Sequence, residues 1–320
     1  MKDRIWPSSG RESFVFRAAH PRELFGSHGE LIEAAMGSDE RLLYLLYSPM
    51  WEGERAHFGI TSQPASHALA VTDRRFIISR NHHTRDGIPT VHSIPFHSVL
   101  AVESGNALLQ GWFVIRFSTE KNPDSICILY KSTTGRDLFC QAARSYRSLA
   151  HHLPPSAPDS NLRKADRWNN IPVEARKGIE ALILAGESPC RWISSTETWI
   201  MKKRRFRRTP VCLRPAGAMA LTNRGILYAV TEPPLRHGML NFAVNISCIP
   251  LEIVRSATII DGQTWGDSQS RLRVECVRNR CALYVDVPFD PDEDHSARDL
   301  AACLQRYASA HRLACERWSP

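Results

Sequence analysis

Six cationic side chains fall within seven residues of the segment MKKRRFRRTP (201–210): Lys202, Lys203, Arg204, Arg205, Arg207 and Arg208. Ammonium and guanidinium groups at this density can neutralise phosphates or carboxylates, and the interleaved Phe206 can add an interfacial or stacking contact. Without these six charges the net of +8 falls to +2, so the basic character belongs to one segment and not to the whole surface. A local electrostatic site is permitted and a histone-like coating is excluded.

Other reactive residue types are present without organisation. His82, His83, His92 and His97 lie close in sequence, yet His92 and His97 are five apart and would face opposite sides of an ordinary strand. A hairpin with surface histidines is the expected reading, and His151-His152 reads as a solvated helix end. Nine cysteines, all after residue 126, form no CxxC pair, and Cys276 and Cys281 are poorly spaced for zinc. They are expected to be free, mostly buried thiols in a reducing compartment. No Gly-rich phosphate loop, GxSxG elbow or HExxH is present. No catalytic residue, metal ligand or cofactor is therefore assigned, and a non-enzymatic protein is expected. No apolar run approaches the roughly 20 residues of a membrane span, and MKDRIWPSSG lacks a secretory apolar stretch. A cytoplasmic protein, peripheral if it meets a membrane, is the expectation.

The elements that must position the basic segment come in two copies. SHALAVTDRRFIIS (66–79) followed by SIPFHSVLAVESG (93–105) matches AGAMALTNRGILYA (216–229) followed by CIPLEIVRSATIIDG (248–262). Each half then closes with a similar segment, RDLFCQAARSYRSL (136–149) or RDLAACLQRYASAHR (298–312). Three anchors in one order, offset by about 150 to 160 residues, mean a doubled domain and not a solenoid.

Local patterns give the content of each copy. Ala68, Ala70 and Thr72 alternate with Leu69 and Val71, as in a half-buried strand, and Asp73-Arg74 turns into Phe76-Ile77-Ile78. WFVIRFS (112–118) and Ile126–Tyr130 read as strands joined by Asn122-Pro123-Asp124. Leu138, Ala142, Ser145 and Leu149 recur at helical spacing, as do Leu300, Leu304, Tyr307 and His311, with Thr134 and Ser296 as expected N-caps. Short helices are expected at Glu30–Met36 and Val173–Leu182. The segment 153–167 reads as a Pro/Ser-rich linker. The expected organisation is an N-terminal arm (1–21), a first domain (22–152), the linker, and a second domain (168–315). The fold class is mainly β (α+β), each half a run of antiparallel strands closed by an amphipathic helix.

Val71-Thr72-Asp73-Arg74-Arg75 with Ile94-Pro95-Phe96, and Leu221-Thr222-Asn223-Arg224 with Ile249-Pro250-Leu251, resemble bacterial pleckstrin-homology-like (PH-like) and GRAM-type domains. The resemblance implies two tandem β-sandwich or barrel domains, each capped by a C-terminal helix, that bind lipid headgroups, peptides or proteins without catalysis. In lipid-binding members basic residues spread over the first strand pair, whereas here they form one block, so only the location is carried over. The block lies after the expected first strand of the second copy (about Leu182 to Gly186) and before AMALTN, in the first inter-strand loop that borders the family's ligand mouth. Arg236 in PPLRHGML (233–240) and the turn Arg278-Asn279-Arg280 would share that mouth, so Arg236, Arg278 and Arg280 are secondary anion-binding candidates. The equivalent stretches of the first copy, PMWEGERAHFG and NHHTRDG, carry mixed charge.

As an extended segment the run puts cations on both faces, so it must project from the domain. It is compatible with a solvated loop, an anionic membrane, an acidic protein partner or nucleic acid. Each cation near an anionic membrane contributes about 1 kcal/mol, which makes weak, salt-sensitive binding. Nucleic-acid binding would be nonspecific, with log affinity falling against log salt at roughly −0.9 per phosphate contacted.

Overall fold

The computed structural model describes residues 13–50, 65–81, 88–120, 122–150, 166–204, 207–231, 243–261 and 270–317. The first half runs β1 (Phe16–Arg17), α1 (His28–Ala35), β2 (Leu42–Ser48), β3 (Ser66–Thr72), β4 (Arg75–Asn81), β5 (Thr90–Pro95), β6 (Val99–Ala107), β7 (Gln110–Ser118), β8 (Pro123–Lys131) and α2 (Ser132–Ala150). The second runs α3 (Asp166–Asn169), α4 (Val173–Leu182), β9 (Pro189–Ser195), β10 (Thr198–Arg204), β11 (Arg207–Arg214), β12 (Gly217–Thr222), β13 (Ile226–Thr231), β14 (Val244–Ile249), β15 (Val254–Ile260), β16 (Arg271–Arg278), β17 (Cys281–Pro288) and α5 (Asp294–Arg317). The chain is mainly β and antiparallel. Apart from the hairpin β10–β11, the second half repeats the element order helix, seven strands, helix.

The sheets cut across the halves. Strands β1-β2-β3-β4-β5 form one sheet and β15-β16-β17 another, while β8-β7-β6-β14-β13-β12-β9 form a seven-stranded sheet with members from both halves. At its centre β6 pairs with β14, with Val102 opposite Cys248 and Gly105 opposite Asn245. No sheet closes into a barrel among the described residues. The halves are therefore joined by a shared sheet as well as by the chain between them. They share a core too: Leu69, Val71, Phe76, Phe113, Phe139 and Tyr146 of the first half are continuous with Trp168, Ile179, Leu227 and Ile246 of the second. The continuity is polar as well as apolar, since Trp112 Nε1 donates to Asn245 Oδ1 (2.8 Å) and Asn245 Nδ2 donates to Glu103 Oε2 (3.2 Å). Gly105 is required there, because a Cβ on it would lie 2.3 Å from the Trp112 ring.

Several expectations need correction. The β3 strand is buried along its whole length and not half-buried, because α1 covers the outer face of its sheet through Ile32, Leu45, Ala68, Ala70 and Ile77. The first strand of the second half is β9 at Pro189–Ser195; Leu182 ends α4, and Gly186 at φ +76° carries the turn that follows. Both closing helices begin two residues before the expected caps, so Thr134 and Ser296 lie in their first turns. The buried stripe of α2 is Phe139, Ala142, Ala143 and Tyr146, rotated from the expected one; on α5, Leu300 and Leu304 are buried as the spacing requires, with Ala297, Ala301 and Ala308. Phe16 and Arg17, within the expected N-terminal arm, pair with Tyr47 and Leu46.

The repeated T-[DN]-R motif has a structural cause. The Oγ1 of Thr72 accepts N–H bonds from Arg74 (3.2 Å) and Arg75 (3.0 Å), and that of Thr222 accepts from Arg224 and Gly225 (both 3.1 Å). Each hydroxyl faces a buried glutamate, just ahead of β2 in the first half and of β9 in the second: Thr72 with Glu40 (2.5 Å) and Thr222 with Glu187 (2.5 Å). The glutamates also accept a backbone N–H from three residues earlier, Gly37 (3.0 Å) and Leu184 (2.7 Å) respectively. In the first half the countercharge is Arg75, whose Nε lies 2.8 Å from Glu40 Oε1. In the second it is Arg147, which reaches over from α2, pairs with Glu187 and donates to the Leu182 carbonyl.

Candidate functional site

The basic segment forms a two-stranded ribbon inserted between β9 and β12. Its register sets Ile200 opposite Val211, Lys202 opposite Thr209, Lys203 opposite Arg208 and Arg204 opposite Arg207. Arg205 and Phe206 lie outside the described residues. Successive rungs of a ribbon belong to opposite faces, so cationic positions recur on both. Like charges directly opposite oppose pairing; the ribbon is therefore favoured by what holds its base and not by its tip.

The base is held by a polar cluster. Arg214, at the end of β11 and 8 % exposed, pairs with Asp290 and donates to the carbonyls of Phe289 (2.9 Å) and Thr196 (3.0 Å) and to Thr198 Oγ1 (2.7 Å). Asp290 also accepts the Thr196 N–H (2.9 Å) and hydroxyl (3.2 Å). The cluster fixes both ends of the ribbon to the segment between β17 and α5. Sequence reasoning missed it: Arg214 and Asp290 are 76 residues apart with no spacing rule to connect them.

The secondary candidates divide. Arg236 lies outside the described residues. The Arg278 guanidinium donates to the Phe96 carbonyl (2.7 Å) and pairs with Glu252 (2.7 Å), so it fastens the β16–β17 turn to the first half. That two-residue turn has Asn279 at φ +49° and Arg280 at φ +67°, the left-handed pair that the twist of a tight hairpin favours. Asn279 Nδ2 donates to Ser118 Oγ (3.1 Å), which docks the turn on the end of β7. Arg280 is exposed and lines an open cavity of about 750 Å³ with His97, Ser93, Ile94, Pro95, Phe117 and Glu120 among others.

The remaining reactive groups are not gathered. His82 and His83 lie outside the described residues; His92 is exposed on β5 and His97 in the turn after it. His28 is buried and spoken for, its Nδ1 2.6 Å from Ser79 Oγ and its Nε2 3.0 Å from Ser66 Oγ. No group of His, Cys, Asp and Glu side chains among the described residues could hold a metal ion. The eight described cysteines are free, and burial pushes the thiols of Cys127 and Cys276 up to about 12 and that of Cys248 to about 11. Such thiols stay protonated at neutral pH and are poor nucleophiles. No helix among the described residues is long and apolar enough to cross a membrane. Compared with family models and with curated protein sequences, the chain matches none.

Proposed function

We propose that this is a non-enzymatic adaptor built from two PH-like domains, which presents the β10–β11 ribbon of the second to an anionic surface. The observation that carries the reading is the ribbon itself: cationic positions at three successive rungs, on an insertion between the first two strands that the Arg214–Asp290 cluster holds at its base. The PH-like reading is supported by the repeated order of helix, seven strands and helix around the two Thr-centred turns. The surface is a phospholipid membrane or an acidic protein partner, met from the cytoplasmic side as a peripheral contact. Lys202, Lys203, Arg204, Arg205, Arg207 and Arg208 supply the charge, Phe206 the interfacial aromatic, and Arg280 a secondary contact.

A second reading, nonspecific nucleic-acid binding, draws on the same ribbon. A two-stranded ribbon fits the major groove of a duplex, and cationic positions on both faces would meet both phosphate walls. The test is sedimentation with vesicles containing phosphatidylserine or only phosphatidylcholine, alongside duplex and single-stranded DNA, for the wild type and a variant with Glu at the six cationic positions. Loss of anionic-vesicle binding alone supports the membrane reading, and loss of DNA binding alone replaces it with the second. A wild type that binds neither leaves the acidic protein partner as the reading to pursue.

A further inference from the structure

The strands that join the two halves each have a counterpart in the other half. Ile94-Pro95-Phe96 spans the end of β5 as Ile249-Pro250-Leu251 spans the end of β14, which makes β5 the counterpart of β14 and β15 the counterpart of β6. Inside the chain β6 and β14 satisfy one another's edges. Their counterparts are left at sheet ends: among the described residues, β5 has β4 as its strand neighbour and β15 has β16. An edge strand is a template for pairing with another chain. We infer that the molecule associates head to tail, with β15 of one copy pairing antiparallel with β5 of the next in the register of the internal β6–β14 junction.

That register is specific. Val102, Glu103, Ser104 and Gly105 face Cys248, Ser247, Ile246 and Asn245 within the chain. The corresponding intermolecular pairs are Ala257 with Ser93, Thr258 with His92, Ile259 with Val91 and Ile260 with Thr90. Thr90, His92 and Ser93 are exposed on β5, as are Arg255 and Thr258 on β15. The cavity of about 750 Å³ supplies an independent argument for a second copy as the occupant. It is lined by Ser93, Ile94, Pro95, His97 and Ser98, whose counterparts in the second half are Cys248, Ile249, Pro250, Glu252 and Ile253. There Cys248 lies against β6 and donates its Sγ–H to the Val102 carbonyl (3.2 Å). Ser93, whose equivalent Cys248 is paired with β6, thus borders open space, in a cavity also lined by Asn279 and Arg280 of the β16–β17 turn.

One side chain guards the other edge. Gln305 of α5 accepts the N–H of Ala257 through Oε1 (3.2 Å), so this donor of β15 is held by a helix side chain. The residue aligned with Gln305 in α2 is Ala143, buried in the core, and the aligned strand residue Val102 has β14 beside it. Gln305 is the removable cap that an incoming β5 displaces. Because the two surfaces differ, the association is heterologous and builds open chains or rings, not a two-fold dimer.

The test uses the full chain in two measurements. Sedimentation velocity over a wide concentration range should show a mass that rises with concentration, and Gln305→Ala should shift that rise to about fivefold lower concentration, the equivalent of one net hydrogen bond. His92→Cys and Thr258→Cys chains, mixed under mild oxidation, should give a reducible dimer that neither variant forms alone, with the wild type controlling for the native cysteines. A chain that stays monomeric at every concentration, as wild type and as Gln305→Ala, with no mixed dimer, would overturn the proposal. Cross-linking of either variant with itself as readily as in the mixture would overturn it equally, because a two-fold contact would then be at work.

Discussion

The two Glu–Thr turns are built alike and completed differently. In both, a buried glutamate accepts a backbone N–H and a threonine hydroxyl, and that hydroxyl ties down the next turn. The first half supplies its own cation from Arg75, whose side chain keeps 30 % exposure. The second has Gly225 at the matching position and borrows Arg147 from the first half's helix, in a pair that is 1 % and 0 % exposed. One turn is self-contained. The other is complete only when the halves are together, so duplication has been followed by dependence.

Removing the borrowed cation has the largest expected effect. Arg147→Met should cost about 3–5 kcal/mol, because it strands a buried carboxylate, and urea unfolding measures the loss. Adding Glu187→Gln should recover much of it, since removing both charges is far milder than removing one. A loss below about 1 kcal/mol for the single variant would end the claim that the halves depend on each other here. Thr72→Val and Thr222→Val should each cost about 1–3 kcal/mol, the range for leaving buried polar groups unsatisfied. Equal losses would show that the hydroxyl has one role in both halves.

The first half's turn should respond to acid. The Arg75 guanidinium beside Glu40 holds its carboxyl down at about 2, below the ordinary 4.5 of an unfolded glutamate. A carboxyl whose folded value is depressed gives stability that is complete above about pH 4.5 and disappears as pH falls toward 2. Arg75→Met should therefore cost about 1–2 kcal/mol at pH 7, less than Arg147→Met because Arg75 is partly exposed where Arg147 is not. It should also flatten the fall in urea midpoint between pH 5 and 2. The smallest effect belongs to the inserted ribbon, which the first half has no described counterpart for. Lys203→Glu replaces a like-charge rung with Arg208 by an opposite-charge one and should raise stability by about 0.2–1 kcal/mol, read as a small rise in the urea midpoint.

What was legible in the sequence followed from local chemistry. The repeat was visible because Thr72 and Thr222 each end a strand and anchor a turn within three residues, which leaves a short motif in each copy. The helices at Val173–Leu182 and near Glu30 were visible from period alone. The partners of those threonines were hidden, because Glu40 and Glu187 act from 32 and 35 residues upstream, where no spacing rule reaches. Arg147 was hidden by its own helix: in a pattern of apolar positions an arginine reads as solvated. The β9 strand was misplaced because Ile183-Leu184-Ala185 is as apolar as a strand while serving as the exit from α4. The pairing of β6 with β14 had no local signature, since strand edges meet through backbone groups that every residue carries. The basic block was conspicuous by composition, yet the Arg214–Asp290 cluster that holds its base was not.

The β6–β14 pairing also sets an order of events during synthesis. Cys248 and Val102 meet across 146 residues of chain. A ribosome adds about 5–20 residues per second, so β6 is complete for roughly 7 to 30 seconds before its partner exists. Throughout that interval the nascent first half carries an open strand edge, and for the 40 residues that separate Arg147 from Glu187 it also carries a cation whose carboxylate has not yet been made. Newly made chains close together on one message would then be each other's nearest source of a β14.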